Sequence, residues 1–397
     1  MAQRPAAATG QPRLAGLPER ALIVSAWIGE GHNASGRALE QAIWRAWPGC
    51  EVRWVDTLAA MGPGIGPLAR ACYVLEVQHL PWLYEVIFRA IWHRWFLSAT
   101  RRLIGAWCGR RIGPRIREYG PDVIISTYPL GSAGLSWLRR RGDLPAVAGA
   151  WVTDFCPHPY WVYPELDVTF VMHPRAAELA RALEPGARVA VGGLPVAEAF
   201  RPAGRGSARA RLGLAADRTL VLVSMGSLGF GAAGRAVTAA LAAGPDVEVV
   251  AVCGRNGRLR ARLSRRARLL GSPAASRLRV LGWTDRMPDW LAAADVVVTN
   301  AGGVTVLEAM ACARPVIMFQ PIAGHGRANA RLLADAGLAV ICRSPADLTG
   351  AVRRLAARLP GPAAALPPAR RPEDDLADLL SAGRQAPLAS RPDAAGR

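Results

Sequence analysis

The chain of 397 residues is 51% hydrophobic and 20% charged, which excludes a wholly disordered chain and suits two domains of roughly 150–200 residues each. Its 49 basic side chains, all arginine, stand against 30 acidic ones, and the formal net charge is +19. Seven scattered cysteines with no CxxC pair exclude a disulfide framework, and no apolar run reaches the roughly 20 clean residues of a membrane span.

Residues 1–19, rich in Ala, Pro and Arg, read as a flexible N-terminus. Arg4 and Arg13 precede only a short apolar run, so export is not expected. That run, ALIVSA at 21–26, is a buried parallel strand. The glycine loop WIGEGH follows, and then a helix to Trp47 that Asn33 would cap. Further strands are expected at EVRWVD (51–56), DVIIST (122–127), VAGAWVTD (147–154), VTFVMH (168–173) and VAVGG (189–193). Residues 196–218 form a seam, after which TLVLVS (219–224) leads into a second glycine loop containing Gly226. VEVVAVC, RLRVLG, DVVVTN, PVIMFQ and AVIC follow as strands. Strands alternating with helical stretches predict α/β architecture: two Rossmann-like, doubly wound parallel-sheet domains facing each other across a cleft. The expected boundaries are 20–200 and 201–358, with a Pro/Ala/Arg-rich tail at 359–397 that holds one helical candidate near Glu373 to Leu380.

The arginines are concentrated. Val86 to Arg117 holds eight Arg and no acid, and Val249 to Thr284 holds nine Arg and no acid. Such blocks suit a lipid surface, nucleic acid or a phosphorylated substrate. In the first block Trp82, Trp92, Trp95 and Trp107 are interleaved with Arg101, Arg102 and their neighbours. Rings among cations with little acid describe a segment lying on anionic lipid; a buried helix is the competing reading.

Two facing units of this kind bind ligand at the carboxyl ends of their strands. There Gly302-Gly303 ends a strand and opens a helix, so free amides around Gly302, Gly303, Val304 and Thr305 can hold a phosphate. Glu308, about a turn and a half later, can accept two ribose hydroxyls or be an ordinary exposed helix acid. His32 in the first glycine loop has the intrinsic pKa of a general base, and Asp154, at a strand end, is either the base or the partner of an imidazole.

These segments resemble the family 28 inverting glycosyltransferases of GT-B fold, which include the monogalactosyldiacylglycerol synthases and processive diacylglycerol glucosyltransferases. GEGHNASGRAL (29–39) is similar to their GGGHxxAAxAL start. VTDFCPHPYWVYPELDVTFV, GGLPV…F, VCGRN, GWTDRMPDWLAAAD and GGVTVLEA…RPVIMFQPIAGH follow in family order, from about Leu22 to Leu355. The resemblance implies transfer of a hexose from a UDP-sugar to a diacylglycerol-type lipid, by a cytoplasmic protein peripheral on the inner face of the cell membrane. No metal-ligand cluster is visible in the sequence and the helix termini already supply positive potential, so no cofactor and no divalent metal are expected. Trp283 and Thr284 would frame uracil, with Cys253, Gly254 and Asn256 beside the nucleotide. The 302–305 turn would hold the diphosphate and Glu308 the ribose. The family's PGQExxNA run, whose Gln and Glu contact the hexose, reads AGHGRANA here: His325 replaces Gln, Gly326 replaces Glu, and Asn329 keeps its place. A GT-B sugar-nucleotide epimerase or a transferase with a soluble acceptor shares the fold, but an epimerase leaves the Trp/Arg segment unexplained. A nucleic-acid binder suits the charge, yet no such motif is present. An NAD oxidoreductase lacks the GxGxxG spacing.

Overall fold

The structure, a computed structural model, describes residues 16–269, 275–300, 302–357 and 370–385. Among these, twelve strands form two six-stranded, all-parallel sheets. The first holds β1 (Arg20–Ser25), β2 (Glu51–Asp56), β3 (Val123–Ser126), β4 (Val147–Trp151), β5 (Val168–Val171) and β6 (Val189–Val191), in the order β2-β1-β3-β4-β5-β6. The second holds β7 (Thr219–Ser224), β8 (Val247–Val252), β9 (Leu278–Leu281), β10 (Val296–Thr299), β11 (Val316–Phe319) and β12 (Ala339–Cys342), in the order β12-β11-β10-β7-β8-β9. Strands such as VIIS and VVVT are buried throughout because helices cover both faces of each sheet.

The crossover helices of the first unit are α1 (Glu30–Ala46), α2 (Thr57–Met61), α3 (Ile65–His79), α4 (Pro81–Ala90), α5 (Arg94–Tyr119), α6 (Pro129–Arg140) and α7 (Pro174–Leu183). Those of the second are α8 (Arg205–Leu212), α9 (Ala233–Leu241), α10 (Gly257–Leu269), α11 (Met287–Ala293), α12 (Val304–Ala311), α13 (His325–Asp335) and α14 (Pro345–Ala356). The strand order reverses beside β1 in one sheet and beside β7 in the other, and those crevices are where such sheets take ligands.

Two sequence expectations change. Helix α1 begins at Glu30, with Gly29 extended as its cap, and Asn33 instead accepts the Ser25 hydroxyl at 2.7 Å, tying the helix to β1. The tail contributes α15 (Pro372–Gln385), which returns to the first unit: Leu376 and Leu379 enter its core, and buried Asp375 accepts the Gly193 N–H at 2.7 Å. The rest of the expected tail lies outside the described residues, as do residues 1–15 of the N-terminus.

The aromatic–arginine segment is divided between α4 and α5, with α3 leading into it. Neither α3 nor α4 buries a residue, whereas α5 buries Gly105, Cys108, Gly109, Ile112, Gly113 and Ile116. A Cβ on Gly109 would overlap the Trp137 ring, so α5 and α6 cross at a separation only glycine permits.

Candidate active site

A cavity of about 570 Å³ lies at the carboxyl ends of the two sheets and is walled by both units. That volume is within the range of small-molecule sites.

His32, in the first turn of α1, lines the N-terminal wall. Its Nδ1 is 2.8 Å from the Thr127 carbonyl oxygen and 3.0 Å from Thr153 Oγ1. A carbonyl only accepts, so the tautomer this geometry assigns has the proton on Nδ1 and the lone pair on Nε2. Burial pushes the imidazole below its usual 6.5, against the pull of Asp154, so it is neutral at pH 7. Asp154 follows β4 on the same wall. Trp161 Nε1–H and Asn329 Nδ2–H donate to its carboxylate at 3.1 and 3.2 Å, and His158 Nε2 lies 3.9 Å away. Burial alone would raise its pKa, but His325, His158, His32 and the Trp161 N–H outweigh that and hold it below the usual value. Burial also drives His158 down to about 4.

The opposite wall is mostly backbone. Gly226 and Gly254 both have positive φ, and a Cβ on Gly254 would overlap the carbonyl of Ser227, so the two glycine turns touch main chain to main chain. Gly303 caps α12, and the amides of that first turn point out of the helix. Val304, Thr305 and Glu308 line the cavity with Trp283 and Thr284. Burial raises the Glu308 carboxyl to about 8. The Arg255 guanidinium lies 4.2 Å over the Trp283 ring and pairs across the cleft with Glu30 at 3.1 Å.

Several expected residues stand behind the cavity rather than on it. Asn256 accepts the Leu259 N–H at 2.9 Å and donates to Leu228 O, locking the CGRN turn, and Cys253 is buried beneath it. Gly302 is shielded by Asn329, which a Cβ there would overlap. Asn329 is itself buried and bridges the units, donating to Asp154 and accepting the Cys156 N–H at 2.7 Å. Arg101, expected at a lipid surface, is a tie instead. It donates to Pro159 O and Val162 O, pairs with Glu184 at 3.3 Å and covers the Tyr163 ring, because the turn after Asp154 exposes carbonyls beside α5. Arg102 is exposed, as are Trp82, Trp92 and Trp95, the last at 77%. Sequence reasoning missed Tyr73, Phe230, Ile322 and Asn300, which also line the cavity. It missed Glu30 too, although an acid where the resemblance has glycine was a visible signal. Among the described residues no group of three or more His, Cys, Asp or Glu is arranged to hold a metal, and no helix is long and apolar enough to cross a membrane.

Residues 32–196 match the family of monogalactosyldiacylglycerol (MGDG) synthase, and residues 224–358 match glycosyl transferases group 1. A processive diacylglycerol beta-glucosyltransferase of Bacillus subtilis is 29% identical over 252 residues, spanning 62% of this chain and 64% of that relative. The one from Bacillus cytotoxicus is 24% identical over 336 residues, 83% of each chain. By fold, the chain is similar to MurG of Acinetobacter baumannii (TM-score 0.52, 15% identity, covering 94% and 96%) and to the glycotransferase of kitacinnamycin (TM-score 0.53, 18% identity, covering 94% and 96%). The fold of this chain is the GT-B fold of these glycosyltransferases. The departure of AGHGRANA from the resembled PGQExxNA pattern has a local cause. A side chain at Gly326 would overlap Ile322, so the acid of the family pattern has no room, and the His325 imidazole is engaged through Nδ1 by Tyr84 of α4 at 2.7 Å.

Proposed function

We propose that the chain moves a hexose from a UDP-sugar to the hydroxyl of a diacylglycerol-type lipid, with inversion, at an anionic cytosolic membrane surface. The observation that carries this reading is the opposition of unlike walls across one cavity: a neutral imidazole with a free Nε2 on one side, a helix start and the buried Glu308 carboxyl on the other. The curated relatives are named for a diacylglycerol acceptor, which supports the lipid.

In the proposed step the acceptor oxygen attacks the anomeric carbon. Its proton passes to His32 Nε2, and the bond to the diphosphate breaks with the electron pair leaving on the phosphate oxygen. Asp154 stabilises the imidazolium that forms, while Trp161 and Asn329 keep its carboxylate in place. The amides at Gly303, Val304 and Thr305 and the positive end of α12 meet the charge developing on the leaving diphosphate. Ionised Glu308 accepts the ribose hydroxyls, and Trp283 and Thr284 border the base. Trp82, Trp92, Trp95 and Arg102 face the bilayer, where each arginine near anionic lipid contributes about 1 kcal/mol.

A panel of UDP- and other nucleotide-hexoses, incubated with diacylglycerol liposomes and scored for labelled lipid product, tests the reading. Product with a soluble acceptor alone would move the activity to the alternative transferase class.

A further inference from the structure

The interfacial helix α4 has two faces with different partners. Its outer face carries Trp82, Val86 and Ile87, exposed by 64%, 55% and 41%. Its inner face carries Tyr84, Glu85 and Phe88, all partly buried. Each inner residue touches a residue at or beside the active-site cleft. The Tyr84 hydroxyl is 2.7 Å from His325 Nδ1. Glu85 accepts the Gly324 N–H at 2.9 Å and pairs with Arg327 at 3.0 Å. The Phe88 ring meets His158 edge-on at 6.0 Å. The fit is close: a Cβ on Gly324, whose φ is +64°, would come within 2.7 Å of the Tyr84 ring. Tyr73 of α3 packs behind, edge-on to Tyr84 at 5.9 Å and tilted against His325 at 6.3 Å.

His325 therefore owes its orientation to a helix of the other unit. With Nδ1 engaged by the phenol, Nε2 is the nitrogen left for a ligand in the cavity it lines. Ten residues of helix have no room to shift on one face without moving the other. We propose that Tyr84 and Glu85 are positioning residues for the donor site, and that seating the outer face of α4 on anionic lipid fixes the 324–327 turn and tightens binding of the sugar nucleotide. The inference rests on the membrane and donor readings above and adds a coupling between them, so membrane binding and donor binding are linked and reciprocal.

The test is a titration of the full chain with the UDP-hexose that supports turnover, and with UDP alone. It is run with phosphatidylglycerol vesicles lacking diacylglycerol, with phosphatidylcholine vesicles and with none. The wild type is expected to bind the UDP-hexose about fivefold or more tightly on anionic vesicles. UDP alone should change less than about twofold, because the resemblance places His325 at the hexose. Tyr84→Phe keeps the ring and removes only the hydroxyl. It should still pellet with vesicles and keep its melting temperature, while its vesicle response falls below about twofold. Glu85→Ala should do the same through the turn backbone. A wild-type response in both variants overturns the inference, as does an equal vesicle effect on UDP alone. A wild type that pellets with vesicles but binds donor equally without them also overturns it. A wild type that fails to pellet overturns the membrane reading and the coupling together, and one that binds no nucleotide-hexose overturns the donor reading.

Discussion

The two walls of the cleft are finished to different degrees. On the N-terminal side the polar groups already have partners: His32 holds Thr127 and Thr153, and Asp154 holds Trp161 and Asn329. On the C-terminal side a carboxyl, Glu308, is pushed to about 8 by burial alone, and the start of α12 presents amides. Groups that must sit at a fixed angle to a reacting atom are locked beforehand by neighbours, which is what electrostatic preorganisation needs. Groups that only bind substrate can wait for it to satisfy them. On the proposed reading the difference separates turnover from affinity, and each wall should fail in its own way.

The largest effect is expected from His32→Ala, which should lower kcat by roughly 100-fold or more with donor affinity retained. Should Asp154→Ala abolish turnover while His32→Ala is nearly silent, the base moves to Asp154 and the wall keeps its character with its residues exchanged. Glu308→Ala should do the reverse. Losing charge-assisted bonds to ribose costs about 1.5–3 kcal/mol, or about ten- to a hundredfold in donor Kd by calorimetry, with the fold intact. An unchanged Kd would remove Glu308 from the site.

Protonation sharpens the same contrast. Glu308 in the free protein is largely protonated below about 8, and ribose hydroxyls favour its ionised form. Donor affinity should therefore rise, by up to about tenfold per pH unit, between about pH 6 and 8, and level off above. Proton release on binding, measured in buffers of different ionisation enthalpy, checks the sign. His32 is shifted the other way, below 6.5, so kcat should decline only in more acidic solution. Parallel pH profiles for kcat and donor affinity would erase the distinction between the walls.

The smallest effects separate two adjacent arginines. Arg101 supports the turn behind Asp154, so Arg101→Gln should cost about 1–3 kcal/mol of stability and lower the melting temperature by a few degrees. Arg102→Gln combined with Trp95→Ser should leave the melt unchanged and weaken sedimentation with anionic vesicles. A double variant that still pellets at moderate salt would sink the interfacial reading.

Alternation of buried runs such as ALIVS and TLVLVS with helical stretches was enough to specify two parallel sheets, since a strand covered on both faces must be apolar throughout. The position of His32, of the glycine turns and of Glu308 at strand ends followed, because in such sheets the ligand crevice is fixed by topology. What sequence could not supply was direction and partner. Eight arginines between Val86 and Arg117 look alike along the chain, yet Arg101 turns inward to carbonyls and Arg102 outward, because α5 is half buried and only its packing on the 155–163 turn distinguishes neighbours. Asn329 matches a sugar-site motif but spends its amide on Asp154 and Cys156, and α15 rejoins a sheet more than 170 residues behind it in the chain. Tyr84 meets His325 across 241 residues of separation. Local patterns encode periodicity and burial, whereas pairings between distant segments are decided only when the two units close on each other.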